Sequence, residues 1–211
     1  MTESQSQTTT PASAIADPAP LGLAAFALTT FLLSAKNADW TRGTDAWLGF
    51  AFAYGGLVQL LAGMWEFRNR NVFGATAFAT YGGFWIGLGI YIRTLPAHAT
   101  PAQIDNDLGW ILLAFAIFNT YMLLWSTQIN KAVFGVFLTL EITEIILFIG
   151  DFSSSSGTVK LGGYVGILTA VVAWYTSAAG VANGMGGQLR LPVGTPFSPP
   201  SRSGTAKTVT A

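Results

Sequence analysis

The sequence predicts an all-α polytopic membrane protein, built as a bundle of six transmembrane helices. Charged residues make up 9% of the chain and apolar residues 51%, whereas about a quarter of a soluble domain is charged. Six stretches are nearly free of charge and reach the length of about 18 residues that a helix needs to cross a bilayer. These stretches are continuously apolar rather than alternating, which argues against a β-barrel.

The six apolar stretches follow one another along the chain with short polar connections. They cover residues 18–35, 46–65, 72–92, 108–130, 132–150 and 161–189. The sixth is long enough to cross with tilt or to end irregularly in its Gly-rich part. We therefore predict a transmembrane domain over residues 17–189, a disordered N-terminal tail over 1–16 and a flexible C-terminal tail over 190–211.

The first helix has a sharply defined start. It opens with the string Asp17-Pro18-Ala19-Pro20-Leu21-Gly22-Leu23. Asp17 is predicted to cap a first turn that begins at Pro18, because the early amides of a helix lack internal partners and proline costs nothing there. The free amides and the helix dipole favour an anion at this point, although Asp17 adds a negative charge of its own.

Six crossings place both termini on the same side of the membrane. That side would carry Arg68, Arg70, Lys131, Arg190, Arg202 and Lys207, and the other side Lys36, Arg42, Arg93 and Lys160. Because cytoplasmic segments are richer in Lys and Arg, the six-to-four distribution predicts that both termini are cytoplasmic.

The odd-numbered helices begin in a similar way. Their first residues include Leu21-Gly22-Leu23, Phe73-Gly74-Ala75 and Phe134-Gly135-Val136. A glycine that recurs at the start of every second helix suggests three helix pairs repeated in parallel orientation.

The composition argues against several classes of function. Ten basic and ten acidic residues cancel, so no basic surface indicates a nucleic-acid partner. The absence of cysteine excludes disulfides and thiolate metal sites. The single histidine, His98, leaves no histidine pair for zinc and argues against a serine triad. We therefore expect no enzyme activity, no cofactor and no bound metal.

Several strings together resemble one known family. Besides the opening motif Asp17 to Leu23, they are Ala62-Gly63-Met64-Trp65-Glu66, Phe73-Gly74-Ala75-Thr76-Ala77-Phe78, Tyr81-Gly82-Gly83-Phe84-Trp85 and Leu138-Thr139-Leu140. In order and spacing they are similar to the acetate uptake transporter family, which groups bacterial acetate/succinate permeases with fungal ammonia/acetate exporters. That family usually has asparagine where this chain has Asp17.

The resemblance implies a function and a site. It implies a transporter in the plasma or inner membrane for acetate and other short-chain monocarboxylates, moved with a proton or as the neutral acid. It also implies a ring of identical subunits, six in number, each with its own pathway. The apolar constriction of the family corresponds to Phe26, Tyr81 and Leu140. From the residues alone, ordinary packing of aromatic side chains would explain these positions.

Polar residues beside this constriction are the next candidates for the substrate pathway. Thr29 and Thr30 follow Phe26 by three and four residues, so at least one shares its helix face. Asn119 lies mid-helix, where interhelical hydrogen bonding explains it as well as substrate contact. Glu66 closes the second helix, where a solvated interfacial charge needs no special role. At a vestibule, the same carboxylate would repel anions and favour the protonated acid.

Two carboxylates lie within the fifth predicted helix. An ionised carboxylate near the bilayer centre costs about 3 kcal/mol or more, so Glu141 and Glu144 should point inward. Glu144 lies about 40° from Leu140 and one turn further along, and Glu141 stands about 60° from Glu144. Our hypothesis is that Glu144 carries a proton and that Glu141 is its electrostatic modifier. The alternative is that Lys, Arg or hydroxyl partners at a subunit contact hold both carboxylates in a structural role.

Two other functions fit the residues. A passive channel for a small neutral solute, such as urea, an amide or ammonia, would use the same apolar constriction without proton coupling. A structural or sensory membrane protein would transport nothing. The carboxylates within the membrane count against this last class, because such residues are costly without a role.

Overall fold

The fold is all-helical, as predicted, in a computed structural model that describes residues 15–43 and 45–198. The helices are α1 Ala19–Asn37, α2 Asp45–Phe52, α3 Gln59–Arg68, α4 Val72–Arg93, α5 Pro101–Ser126, α6 Lys131–Phe152 and α7 Ser156–Gly184. A π-helical segment, Ala53–Val58, joins α2 to α3 without a break. Within the described residues, six helices are long and apolar enough to cross a membrane, and the second is the continuous span Ala46–Arg68.

The start of α1 differs slightly from the prediction. The helix begins at Ala19, and Pro18 occupies the capping position without a side-chain cap. The carboxylate of Asp17 accepts a hydrogen bond from the Ala19 amide at 3.0 Å. Asp17 therefore satisfies one early amide from one position further out than predicted, because two prolines in the first turn leave few amides to cap.

Helix α5, which corresponds to the fourth predicted stretch, begins at Pro101, seven residues earlier than predicted. Thr100 and Gln103 form a reciprocal capping box, and Pro101 occupies the first turn. The prediction missed this start because Asp105 and Asp107 interrupt the apolar pattern in the first turns. A capping box fixes a helix start by satisfying early amides, whether or not the following turns are apolar.

Close backbone contacts hold most of the bundle together. α1 packs along α7, α7 along α6, α6 along α5, and α3 along α4. Glycines allow these approaches: a Cβ on Gly163 would lie 2.5 Å from the Ala38 amide nitrogen, and one on Gly63 would lie 2.6 Å from that of Ala79. Small residues at helix contacts are the usual means of packing within a membrane.

Helices α4 and α5 meet in a different way, through aromatic rings. Tyr81 contacts Phe115 and Phe118 with ring centroids 5.8 and 5.5 Å apart, and Phe84 lies 4.6 Å from Phe115. Long side chains rather than a close backbone approach fill this contact. The resulting separation leaves space beside Tyr81 inside the bundle.

The chain after α7 returns to the bundle as an irregular segment, residues 191–198. Asn183 exchanges two hydrogen bonds of 3.0 Å with the backbone of Leu191, and the amide of Ala132 donates to the carbonyl of Val193 at 2.9 Å. The Phe197 ring lies 5.0 Å from that of Phe134. These contacts join residues 191–198, which were assigned to the C-terminal tail, to the ends of α5, α6 and α7. Residues 1–14 and 199–211, also assigned to tails, lie outside the described part of the chain.

Candidate functional site

Three apolar side chains from three helices meet near the centre of the bundle. The Phe26 and Tyr81 rings contact edge to face with centroids 5.8 Å apart, and Leu140 of α6 completes the group. All three line both a cavity of about 90 Å³ and a second cavity of about 40 Å³. Phe26, Tyr81 and Leu140 therefore form the wall between two cavities, which is the geometry of a constriction.

The larger of these two, the apolar cavity, lies on the side where α1, α4 and α6 begin. Its remaining lining is Ala19, Leu23, Gln59, Asn71, Phe73, Gly74, Ala77, Phe78, Ile129, Val133, Val136 and Phe137. The opening motif contributes Ala19 and Leu23 to this wall. Gln59 and Asn71 are the polar members of an otherwise apolar and aromatic lining.

The smaller cavity, on the other side of the constriction, is more polar, and we call it the Glu144 cavity. Thr30, Ser34, Asn37, Thr143 and Glu144 supply its polar lining. Glu144 is 4% exposed, and its Oε2 has no hydrogen-bond partner within the described structure. A buried polar atom without a partner can receive a hydrogen bond from a solute or from water in this cavity.

A vestibule of about 500 Å³ adjoins the Glu144 cavity, and Leu33, Asn37 and Leu147 line both. The vestibule carries charge of both signs from Lys36, Asp39, Asp105 and Asp151. Vestibule, Glu144 cavity, constriction and apolar cavity therefore follow one another along the bundle axis.

The hydroxyl of Tyr81 lies within hydrogen-bond distance of two oxygen atoms from two other helices. It is 3.1 Å from Asn119 Oδ1 and 3.2 Å from Glu144 Oε1. Asn119 is fully buried, and its Nδ2 donates to the Phe137 carbonyl at 3.0 Å and to Glu141 Oε2 at 2.7 Å. A chain of hydrogen bonds thus runs from the constriction outward to Glu141.

Glu141 lies outside the cavities and is held by hydrogen bonds on both oxygens. Oε2 accepts from Asn119, and Oε1 accepts from the Thr120 hydroxyl at 2.8 Å. Both donors come from α5, so the carboxylate joins α6 to α5. A hydroxyl partner was part of the structural alternative considered for the pair, whereas an amide partner was not, and both partners lie within one subunit here.

Not all of the predicted polar residues line the cavities. Thr30 does, whereas Thr29 is directed to the second span: its hydroxyl donates to Ala25 O at 3.1 Å and approaches Phe50 O at 3.4 Å. Asn119 stands behind Tyr81 rather than in the lining. Thr29 therefore has a packing role at the π-helical segment, where Gly55 leaves room for it.

Glu66 is not the solvated interfacial charge that would need no special role. It is fully buried at the end of α3, and its Oε2 accepts a hydrogen bond from Asn69 at 3.2 Å. It lies against Gly74 and Asn71, which line the apolar cavity, but is not itself part of that lining. Glu66 therefore stands directly behind the cavity wall.

Ser34 and Thr143 line the Glu144 cavity and were not among the predicted residues. The sequence contains a signal for both. Ser34 follows Phe26 by eight residues and Thr30 by four, and Thr143 follows Leu140 by three, so each shares the helix face of a constriction residue. Extending those faces by one or two turns would have identified them.

The fold and the site together define a class of protein. Six helices cross the membrane, and they enclose a series of cavities narrowed by three apolar side chains. A pathway of this form selects solutes by size and by the hydrogen bonds that its lining offers. The molecule is thus a polytopic helical membrane protein with the architecture of a solute transporter or channel.

Comparison with known proteins gives the family. The model of the GPR1/FUN34/yaaH family matches residues 2–195. The chain is 40% identical to Acetate permease A of Emericella nidulans, over 92% of this chain and 71% of that protein. It is also 40% identical to Ammonia transport outward protein 2 of Saccharomyces cerevisiae, over 82% of this chain but 64% of the yeast protein, less than two thirds of its length.

Bacterial relatives match over nearly their whole length. The chain is 31% identical to the succinate-acetate/proton symporter SatP of Escherichia coli, over 85% of this chain and 96% of that protein. The solved structure of the bacterial acetate channel SatP superimposes with a TM-score of 0.79 at 30% identity, over 85% of this chain and 99% of that one. The chain belongs to the GPR1/FUN34/yaaH family, which confirms the resemblance and the six-helix membrane fold.

Proposed function

We propose that this protein transports acetate and other short-chain monocarboxylates across the membrane, moving the anion with a proton or the neutral acid. The observation that carries the proposal is the constriction of Phe26, Tyr81 and Leu140 between the apolar cavity and the Glu144 cavity. The names of the relatives, an acetate permease, a succinate-acetate/proton symporter and an acetate channel, support acetate as the substrate.

The chemistry of the pathway suits a small carboxylic acid. Such a molecule has an apolar end that an apolar constriction tolerates and a polar end that needs hydrogen bonds on either side. Passage between the three apolar side chains strips water from the solute, and an unpaired anion in such surroundings is far more costly than the neutral acid. A group that holds a proton next to the constriction would lower that cost.

Glu144 is the proposed proton carrier, and the support comes from counting hydrogen-bond donors. The Tyr81 hydroxyl has one hydrogen and faces two oxygens, Asn119 Oδ1 and Glu144 Oε1. If Tyr81 donates to the amide oxygen, its contact with Glu144 is a hydrogen bond only when Glu144 supplies the second hydrogen. A protonated Glu144 therefore satisfies every contact at Tyr81, and an ionised one leaves two acceptors competing for one hydrogen.

The assembly and location that we propose follow from the family resemblance and from the distribution of charge. The protein would form a ring of six identical subunits, each with its own pathway, in the plasma or inner membrane. Both termini would be cytoplasmic, in accordance with the excess of Lys and Arg on that side. The apolar cavity would then open towards the cytoplasm and the vestibule towards the outside.

Transport is tested with purified protein in liposomes given labelled acetate, with and without an imposed pH gradient. We expect acetate to accumulate above equilibrium when the outside is acidic, and the accumulation to vanish with a proton carrier. Equilibration without accumulation would remove the coupling and leave a channel. The absence of acetate flux would overturn the proposed substrate.

The role of Glu144 is tested with Glu144→Gln. Glutamine keeps the shape of the side chain and donates a permanent hydrogen towards Tyr81, so acetate uptake should lose most of its dependence on pH. Wild-type uptake should fall as the pH rises, because Glu144 then loses its proton. The control is Asp107→Asn, which neutralises an exposed carboxylate in the first turns of α5 and should leave the pH profile unchanged. An intact profile in a well-folded Glu144→Gln protein would return this residue to a structural role.

A neutral-solute channel is the second candidate, and two observations favour it. One relative is named an ammonia transport outward protein, and a constriction of two rings and a leucine suits a small uncharged molecule. The same liposomes decide between the candidates when they are given urea and ammonia. Urea flux that is faster than acetate flux and insensitive to the pH gradient would favour the channel.

A further inference from the structure

The geometry points to Glu141 as a positioning residue for the constriction, one that acts through Asn119 to orient the hydrogen bond of Tyr81. Glu141 touches neither cavity, and its influence on the pathway is transmitted by the buried amide between them. This role differs from that of an electrostatic modifier of Glu144, because it depends on which way an amide faces. It rests on the proposed transport function.

The orientation of the Asn119 amide is decided by its neighbours. The Phe137 carbonyl can only accept, and it lies 3.0 Å from Asn119 Nδ2. The Glu141 carboxylate lies 2.7 Å from the same nitrogen. Turned over, the amide would place its oxygen against two acceptor oxygens inside the protein, where such contacts are costly. The two hydrogens of the nitrogen therefore match the two acceptors, and the amide oxygen is left for Tyr81.

The Glu141 carboxylate is itself held in place. The Thr120 hydroxyl, one residue after Asn119 on α5, lies 2.8 Å from its other oxygen and 2.9 Å from the Ala116 carbonyl, and it shares its one hydrogen between them. Adjacent residues of one helix thus bind the two oxygens of a single carboxylate from the facing helix. This double contact fixes the side chain of Glu141, and so fixes the acceptor that Asn119 meets.

The fixed amide determines which group donates in the contact of Asn119 with Tyr81 and in the contact of Tyr81 with Glu144. Because Asn119 presents an oxygen, Tyr81 is the donor in that contact, and its single hydrogen is not available to Glu144. The contact of Tyr81 with Glu144 then requires the proton of Glu144. Without Glu141 only the Phe137 carbonyl still holds the amide, so the amide can turn and donate to Tyr81 at a lower cost. That rotation would free the tyrosine to donate to an ionised Glu144. Glu141 thereby makes the ordering of the constriction depend on the proton of Glu144.

Few other ionisable groups act on this arrangement. Among the described residues, Tyr81 of α4 lies 3.2 Å from Glu144, and Glu141 lies three residues before Glu144 on the same helix. Tyr121 of α5 lies two residues after Asn119. From α1 and α7 the nearby polar groups among the described residues are the Asn37 amide and hydroxyls such as Ser34 and Thr169, which do not titrate at these pH values. A change in the pH profile of a Glu141 variant is therefore attributed to its effect on Tyr81 and Glu144.

The test compares Glu141→Gln with Glu141→Leu in liposomes. Glutamine can still accept from Asn119 through its amide oxygen, so we expect it to keep the pH profile of acetate uptake. Leucine cannot accept a hydrogen bond, so we expect the pH profile to flatten. The ratio of acetate uptake to lactate uptake should fall at least tenfold. Thr120→Val is the matched control: it removes only the outer contact and should shift the profile less than leucine does.

A second measurement reports the proton directly. Infrared difference spectra of wild-type protein should show the carbonyl stretch of a protonated carboxylic acid that disappears in Glu144→Gln. In Glu141→Leu this band should be lost at a pH where the wild type and Glu141→Gln retain it. If Glu141→Leu does not assemble, Glu141→Ala, which leaves room for water, takes its place in both measurements.

The outcomes separate this inference from the proposed function. A folded Glu141→Leu or Glu141→Ala protein with the wild-type profile and the wild-type band would overturn the positioning role. So would a Glu141→Gln protein that behaves like the leucine variant. A wild-type protein without the band, or without acetate flux, would instead refute the proposed proton carrier or substrate.

Discussion

Truncation of Leu140 should widen the constriction and change which acids pass. Leu140 is 7% exposed and lines both the apolar cavity and the Glu144 cavity. Leu140→Ala removes three carbon atoms from the wall and joins spaces of about 90 and 40 Å³. Because the side chain already borders free volume, we expect a stability cost of about 2–3 kcal/mol, near the lower end for such truncations.

The change in selectivity follows from the size of the solute. One carbon more or less in an apolar pocket is worth about 1–3 kcal/mol, or about 10- to 200-fold in rate. Lactate exceeds acetate by one carbon and a hydroxyl, so its uptake relative to acetate should rise at least tenfold in Leu140→Ala. The assay is parallel uptake of labelled lactate and labelled acetate into liposomes, with the ratio as the readout.

Leu147→Ala supplies the matched control. Leu147 lies two turns further along α6 and is also 7% exposed, but it lines the Glu144 cavity and the vestibule rather than the apolar cavity. Its truncation should cost similar stability and leave the ratio near that of the wild type. Equal ratios in both variants would mean a general loosening of the bundle. An unchanged ratio in Leu140→Ala would remove Leu140 from the constriction.

Three further changes test the opening motif and the packing. Asp17→Asn keeps an acceptor for the Ala19 amide and removes a negative charge, so acetate affinity in flux titrations should stay equal or rise; a large loss would show that the carboxylate is needed. Gly63→Ala places a Cβ 2.6 Å from the α4 backbone, and thermal unfolding should report a cost of about 1–3 kcal/mol. Ser177→Ala removes a 2.6 Å hydrogen bond to the Pro20 carbonyl, which should lower stability by about 1 kcal/mol while insertion is retained.

Most of the fold could be predicted because a bilayer permits few structures. Composition and the length of the apolar runs were enough for six spans, since only helices satisfy their own backbone in lipid. The ends of the spans were harder to predict from the sequence. The first turns of α5 were missed because Asp105 and Asp107 interrupt the apolar pattern there. Polar turns of this kind can extend beyond the membrane without ending the helix. Residues 191–198 were assigned to a tail, because hydrogen bonds made by backbone groups leave no pattern in the sequence.

The site was harder to predict, because one helix does not show which way it faces. Thr29 and Thr30 lie on either side of Phe26 in projection, and only the position of the second span decides that Thr29 packs and Thr30 lines a cavity. The structure brings Phe26, Tyr81 and Leu140 together, while their role in transport stays a prediction. The contact of Glu141 with Asn119 joins residues 22 positions apart, which periodicity on a single helix cannot identify.

The π-helical segment Ala53–Val58 divides the second span into two halves with different rotational settings. Trp47 and Glu66 are both buried, yet the interval between them covers about five and a quarter α-helical turns, which leaves them about 100° apart on a regular helix. A π-helical turn absorbs one extra residue and removes about that rotation. Deletion of one residue from the segment would leave 18 positions, or five α-helical turns, between Trp47 and Glu66, so a regular α-helix would then keep both side chains buried. A gain or loss of one residue during evolution could thus be accommodated within this segment, while the buried residues of both halves of the span keep facing the interior.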